Sequence, residues 1–305
     1  MKTAWMAASL FISASVAAQQ MAPDVANNTG PLPGTDIYLA ELVMAGDSYS
    51  VGAPENITRH KGYDNQPHFM PDGDKILYTS EDKDIRTDIW MYMVDSGTKT
   101  RLTNTPDNSE FSPKVMPDGS GFSVIREESY RGGQRVWRYE FGNTEAAEPM
   151  LKLSPTGYHA WGMGTRYVAV FVLGEPNTLQ LVDRETGNAK VIFENIGRGL
   201  FSLPDGSGFT FTEAREGGPA KVYHYDIAAE RVTPLFDLPG GNDYALMRNA
   251  QAPLGVSFMA AHGSKIFYRE TPSGAWAQIA DMEGLEISRL AVSPDNTKIA
   301  LVAAE

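Results

Sequence analysis

The sequence predicts an all-β fold, a six-bladed β-propeller whose last blade is completed by strands from both ends of the chain. Three observations predict it: a turn motif that recurs along the chain, a regular spacing of units built from short strands, and a final unit that lacks half its strands. Pro71-Asp72-Gly73 returns as Pro117-Asp118-Gly119, as Pro204-Asp205-Gly206 and, varied, as Pro294-Asp295-Asn296. Each copy lies between two strand-like runs, as in PHFM and KILYTS. That is a hairpin, with proline fixing φ and glycine or asparagine taking the position that needs φ > 0.

Two further units keep the strand pattern without the motif, one from Tyr158 and one from Tyr244. The turns then start near 71, 117, 163, 204, 252 and 294, a spacing of 41 to 48 residues. After each hairpin comes a third strand with strict alternation, such as Trp137 to Phe141, and then a fourth such as Lys99 to Thr103 or Lys190 to Glu194. No 3.6-residue period competes. The C-terminal unit stops after two strands, whereas the chain opens with Thr35-Asp36-Ile37-Tyr38, the wording of Thr87-Asp88-Ile89-Trp90 in a complete third strand. DIYLAEL and ENITRH are therefore expected to complete the sixth blade, which removes an open sheet edge.

The runs QPHFMPDGDKILYTSEDKDIRTDIWMY and SPKVMPDGSGFSVIREE resemble the repeat of TolB-like propellers, which is shared with the propeller domains of prolyl-oligopeptidase-type peptidases and with oligogalacturonate lyases. The resemblance is closest over residues 64 to 141 and implies the fold more than a function. Only about sixteen residues stand where TolB-type chains carry an α/β domain before the propeller, and the chain lacks the G-x-S-x-G elbow of the peptidases. In this architecture the turns between first and second strands lie on one face. The loops entering each first strand, and those between second and third strands, lie on the other, around the channel mouth.

Lys2 followed by an apolar stretch to Ala18 reads as a signal peptide over residues 1–18, with a flexible Pro-, Gly- and Asn-rich linker over 19–34 and the propeller over 35–305. The expected location is outside the cytoplasm, periplasmic or extracellular, without a stable membrane anchor. The chain has no cysteine, so disulfides and thiolate chemistry are excluded. A net charge of -12 without a basic cluster argues against nucleic acid as a partner.

The entry loops bring Asp64, Asn65, Gln66, Glu110, Tyr158, His159 and Arg198 toward one rim, with Asp243 and Arg289 from later blades, and Arg126 joins them from a second-to-third-strand loop. Such a ring of donors and acceptors around a concavity has the form of a small-ligand or peptide site. Asp64, Asn65, Gln66, Glu110, Arg126, Tyr158, His159 and Arg198 are the candidate ligand-binding residues, expected to be exposed loop side chains, and the arginines suit a carboxylate or phosphate. No catalytic residue, metal ligand or cofactor is expected. Asp82 and Asp84 lack the spacing of a calcium loop, the five histidines form no zinc motif, and Trp161 reads as core. The function predicted is a monomeric, exported, non-catalytic propeller that binds a peptide, an envelope or secreted protein, or a small anionic ligand at the channel mouth. The alternative is a carbohydrate lyase or hydrolase of the oligogalacturonate-lyase type, its acid and base supplied by scattered loops, such as Glu110, Glu127 and His159; the resemblance to those lyases, which use His and Gln ligands around a metal, names Gln66, His159 and His262 as the set that could converge in that way.

Overall fold

In the computed structural model, residues 32–46, 48–128 and 133–305 are described; the expected signal peptide, and all but residues 32–34 of the expected linker, lie outside them. Every regular element among the described residues is a β-strand, and the strands form six antiparallel sheets. Blade 1 runs from Asp64–Phe69 to Lys99–Arg101, blade 2 from Asn108–Val115 to Asn143–Pro149, and blade 3 from Thr156–Gly162 to Ala189–Glu194. Blade 4 runs from Ile196–Ser202 to Arg231–Asp237 and blade 5 from Tyr244–Arg248 to Ala277–Asp281. Blade 6 joins Ile287–Val292 and Lys298–Ala304 to the N-terminal strand Thr35–Ala45.

The turn motif behaves as its chemistry requires. Gly73, Gly119 and Gly206 take φ of 77°, 69° and 72°, and Asn296 takes 59°. The N–H of each bonds back three residues, to the carbonyls of Met70, Met116, Leu203 and Ser293. The aspartate adds a second lock, because Oδ1 of Asp72, Asp118, Asp205 and Asp295 accepts the N–H two residues on. Those hydrogen bonds help to hold all four carboxyls below the usual carboxylate range; for Asp72 and Asp118 the partners Lys75 and Ser120 contribute most.

Ring closure uses the predicted pairing in an unbroken register, from Thr35 opposite Ala304 to Glu41 opposite Lys298. The outer edge differs from expectation. Of the segment ENITRH only Glu55–Asn56 forms a strand, against Tyr38 and Leu39, while Ser48–Val51 folds back on Leu42 to Ala45 as a hairpin. The first strand of the chain is long enough to carry both pieces end to end.

The shared wording of Thr35-Asp36-Ile37 and Thr87-Asp88-Ile89 also has a structural cause. Thr87 Oγ1 donates to the carbonyl of Glu110 in blade 2 at 2.9 Å, and Thr35 Oγ1 donates to the carbonyl of Asp64 in blade 1 at 3.0 Å. The aspartates bond within their own blades, where Asp88 accepts from Thr103 and Asp36 from Thr58, each just after an outer strand. The isoleucine N–H groups then donate to those same threonine hydroxyls, Ile89 to Thr103 and Ile37 to Thr58. Apolar layers fill the space between blades, as where Ile37, Ile57, Ile76, Tyr78, Ala300 and Val302 join blade 6 to blade 1. Trp161 lies in such a layer with Ile125 and Val136, in the core role expected of it.

Two outcomes test this frame. Gly73→Val, whose Cβ would make only ordinary contacts with Asp295 and Pro294 at 4.0 Å but must adopt a φ of 77°, should cost about 1–3 kcal/mol in denaturant unfolding through backbone strain. Removing residues 35–60 exposes the edge of Lys298–Ala304, and size-exclusion chromatography should show association or aggregation; a stable monomer would contradict the closure.

Candidate functional site

The structure separates the eight candidate residues into three environments. Asp64, Asn65 and Gln66 are not exposed loop side chains: they begin the first strand of blade 1 and are 1%, 7% and 5% exposed. Gln66 Oε1 accepts from Thr79 Oγ1 at 2.9 Å and from the N–H of Ser112, in blade 2, at 2.6 Å. Asn65 accepts from the N–H of Gln66 and donates to Thr35 Oγ1 in blade 6. These amides tie blades together. The local cause is a bulge in each first strand: Gln66 and Ser112 take φ of 57° and 53°, where the register slips between Asn65 and His68 and between Phe111 and Lys114. Burial pushes the Asp64 carboxyl up to about 6, against the opposing effects of Ser80, His60 and Thr58.

Glu110 and Arg126 form the second environment, between blades 1 and 2. Glu110 is fully buried and accepts from Thr105 Oγ1 at 2.8 and 2.7 Å and from the Tyr139 hydroxyl at 3.0 Å. Arg126 donates to Tyr139 at 3.1 Å, lies 3.6 Å from Glu110, and covers the Trp137 ring at 4.3 Å. A cleft of ≈ 600 Å³ opens here, lined by Arg101, Thr103, Thr105, Arg126 and Tyr139 among others. Burial raises the Glu110 carboxyl to about 7, and Asp88 adds to the rise while Thr105, Tyr139 and Arg126 oppose it. Arg101 is already paired with Asp88, so the cleft is close to charge-balanced.

The third environment is the channel. Arg289 Nε and a terminal nitrogen of Arg198 lie 3.5 and 3.6 Å from the same oxygen of Asp243, bringing blades 4, 6 and the entry to blade 5 together. Arg289 also donates to the Tyr158 hydroxyl at 3.3 Å, and Arg198 donates to the carbonyl of Ser288. Lys114, from blade 2, feels both Arg289 and Asp243, and Tyr63 feels Arg289, Tyr158 and Arg198. Burial above all, with Arg289, lowers the Lys114 ammonium to about 8. Lys114 escaped the sequence reading, although it occupies the place in PKVM that His68 occupies in PHFM. A charged residue facing that place in an otherwise apolar strand was the available signal.

His159 stands apart from these cations although it neighbours them. It is 1% exposed, its Nε2 lies 2.7 Å from Ser123 Oγ, and Trp161 Nε1 donates to the same oxygen at 3.0 Å. The serine hydroxyl can donate to Nε2 or to the carbonyl of Lys114, which lies farther off at 3.4 Å. Burial and then Lys114 lower the imidazole to about 3, so it is neutral and structural across the physiological range. Among the described residues no three His, Cys, Asp or Glu side chains come together as a metal site. Gln66 has its oxygen committed to Thr79 and Ser112, and His262 sits at the exposed end of a blade 5 strand against Gly240, so a Gln66, His159 and His262 centre does not fit.

No family model matches the chain, and no curated protein matches it. Solved structures do. TolB from Acinetobacter baumannii superimposes with a TM-score of 0.58 at 16% identity, covering 90% of this chain and 66% of that one. This chain therefore spans about two thirds of that TolB. A TolB-type protein of Agrobacterium tumefaciens gives 0.65 at 14% identity, over 89% of this chain and 99% of the other. An oligogalacturonate lyase in complex with manganese gives 0.53 at 13%, over 90% and 99%. The fold is that of a TolB-like propeller. At these identities the likeness speaks for architecture alone.

The buried groups generate two predictions. Gln66→Ala leaves the Ser112 N–H without its acceptor, so it should cost about 1–3 kcal/mol of stability, measured by urea unfolding, rather than the near-zero effect of an exposed position. Glu110, with its carboxyl raised to about 7, holds a proton in the folded chain that the unfolded chain has already released. Its contribution to stability therefore falls as pH rises from the ordinary carboxylate range through about 7. The melting temperature of the parent relative to Glu110→Gln should decline between acidic and mildly alkaline buffer; a constant difference would mean that Glu110 is ionised throughout.

Proposed function

We propose that this chain is an exported, non-catalytic propeller that binds an anionic ligand, carried by a peptide, a protein or a small molecule, at the mouth of its central channel. The observation that carries the reading is the convergence of Lys114, Arg198 and Arg289, from three blades, around the lone carboxylate of Asp243. The side chains of Arg198 and Arg289 are 11% and 15% exposed, so the cluster is reached from solvent while most of its hydration is removed. That is the setting in which a charge-assisted hydrogen bond to an anion gains most. Tyr63 and Tyr158 add hydroxyls beside the guanidinium groups.

The reading as an exported protein rests on the N-terminal sequence and on likeness to TolB structures, whose fold it shares. A lyase or hydrolase activity is supported by the shared fold of an oligogalacturonate lyase, without a metal-holding cluster of His, Cys, Asp or Glu among the described residues.

Differential scanning fluorimetry at constant ionic strength tests the binding. Sulfate, citrate and a glutamate-rich peptide should raise the melting temperature of the parent, and Arg289→Ala and Arg198→Ala should lose that response while keeping their near-UV circular dichroism. An equal response in the arginine variants would remove the channel from consideration.

A further inference from the structure

We infer that the channel cluster selects an anion carrying two negative charges on one compact group, such as a phosphate monoester or a vicinal dicarboxylate, over a single carboxylate. The inference rests on the anion-binding reading of the channel and adds the charge of the ligand to it. Its basis is a count of charges that face one another. Lys114, Arg198 and Arg289 contribute three positive charges, and Asp243 contributes one negative charge. Asp243 is the carboxylate that acts on Lys114 and, beside the hydroxyls of Tyr158 and Tyr63, on Arg289. The nearby imidazoles of His68 and His159 are held neutral by burial and by Lys114. The cluster is left with two positive charges in excess.

That excess runs against the chain as a whole, which has 38 acidic residues for 26 basic ones. Random placement would favour carboxylates in the channel, yet cations outnumber them here by three to one. Concentrating cations where water is largely excluded is unfavourable unless something offsets it, and an anion of matching charge offsets it most completely. A single carboxylate would leave one positive charge uncompensated.

The donors are also left open for such a group. Nε of Arg198 and Nε of Arg289 are buried and have no hydrogen-bond acceptor. Asp243 approaches the guanidinium groups at 3.5 and 3.6 Å, close enough to balance charge but longer than a hydrogen bond, and its other oxygen accepts from the N–H of Tyr244. Lys114 Nζ has no hydrogen-bond acceptor among the described residues and lies over the Phe201 ring at 5.8 Å. A single carboxylate presents its two oxygens in one plane. Three phosphate oxygens, or two adjacent carboxylates, present acceptors on several sides at once.

Isothermal titration calorimetry of the full chain at constant, low ionic strength and pH 7.5 tests the inference with glycerol phosphate, malate and acetate as probes. Glycerol phosphate or malate should bind at least about tenfold more tightly than acetate, the least that one additional charge pair at this burial should provide. Lys114→Met should shrink that ratio to within about threefold, and Lys114→Arg should preserve it, which separates loss of charge from loss of fold. Preference for glycerol phosphate alone or for malate alone would each support the inference and name the chemistry. If acetate bound as tightly as both dianions, with all three lost in Arg289→Ala, the channel would be an anion site and the charge selection would be overturned. If no probe bound, or binding persisted unchanged in Arg289→Ala, the anion-site reading would fall with it.

Discussion

The hydroxyl that opens a third strand and reaches the neighbouring blade is the contact on which the ring depends. Thr87 holds the first strand of blade 2 through the Glu110 carbonyl, and Thr35 holds the first strand of blade 1 through the Asp64 carbonyl. Sheet pairing organises each blade internally and, among the described residues, passes between blades only as a single bridge from Thr35 to Tyr63 at the closure. Apolar layers supply most of the inter-blade attraction and are indifferent to small rotations. Directional hydrogen bonds remove that freedom. Gln66, bonded to the Ser112 N–H, repeats the device one step closer to the axis. At the closure both requirements fall on the same strand, since Thr35–Ala45 completes blade 6 by pairing and fixes blade 1 by its first side chain.

The bulges near the starts of the first strands follow from this arrangement and create the site. A left-handed residue at Gln66 or Ser112 bends the strand as it enters the ring, so that residues on either side of the bend are directed differently. Asp64 and Glu110, before the bend, are buried among the polar groups that join adjacent blades. Lys114, after it, belongs to the channel with Arg289. Two carboxyls are thereby raised well above their ordinary range by burial, and an ammonium is lowered, within one ring. The interior holds charges at a cost that the surrounding β-structure must offset.

The two polar concavities differ in electrostatic character. In the cleft between blades 1 and 2 each guanidinium has a carboxyl neighbour of its own, Arg101 with Asp88 and Arg126 with Glu110. In the channel, two guanidinium groups share Asp243, and Lys114 has no hydrogen-bond acceptor among the described residues. The cleft offers a cavity of ≈ 600 Å³. Uncompensated charge directs attention to the channel.

The sequence by itself determined the turns, the unit length, the number of blades and the closure. Each of these is a local matter, of a proline and a glycine at fixed offsets or of alternation along one strand, and local geometry is written in adjacent residues. It also named Tyr158 and Arg198, and with them Asp243 and Arg289, as neighbours on one rim, because equivalent positions in a ring face a common axis. Tertiary structure alone decided which polar residues at those positions remained available. Asn65 and Gln66 look like binding residues in sequence and serve as links between blades, because a buried N–H on Ser112 and a hydroxyl on Thr35 lie within reach. His159 is taken by Ser123, and Glu110 by Thr105 and Tyr139. Whether a polar side chain is spent or free depends on partners tens of residues away, and on how much water the fold leaves around it; neither is encoded in its own neighbourhood.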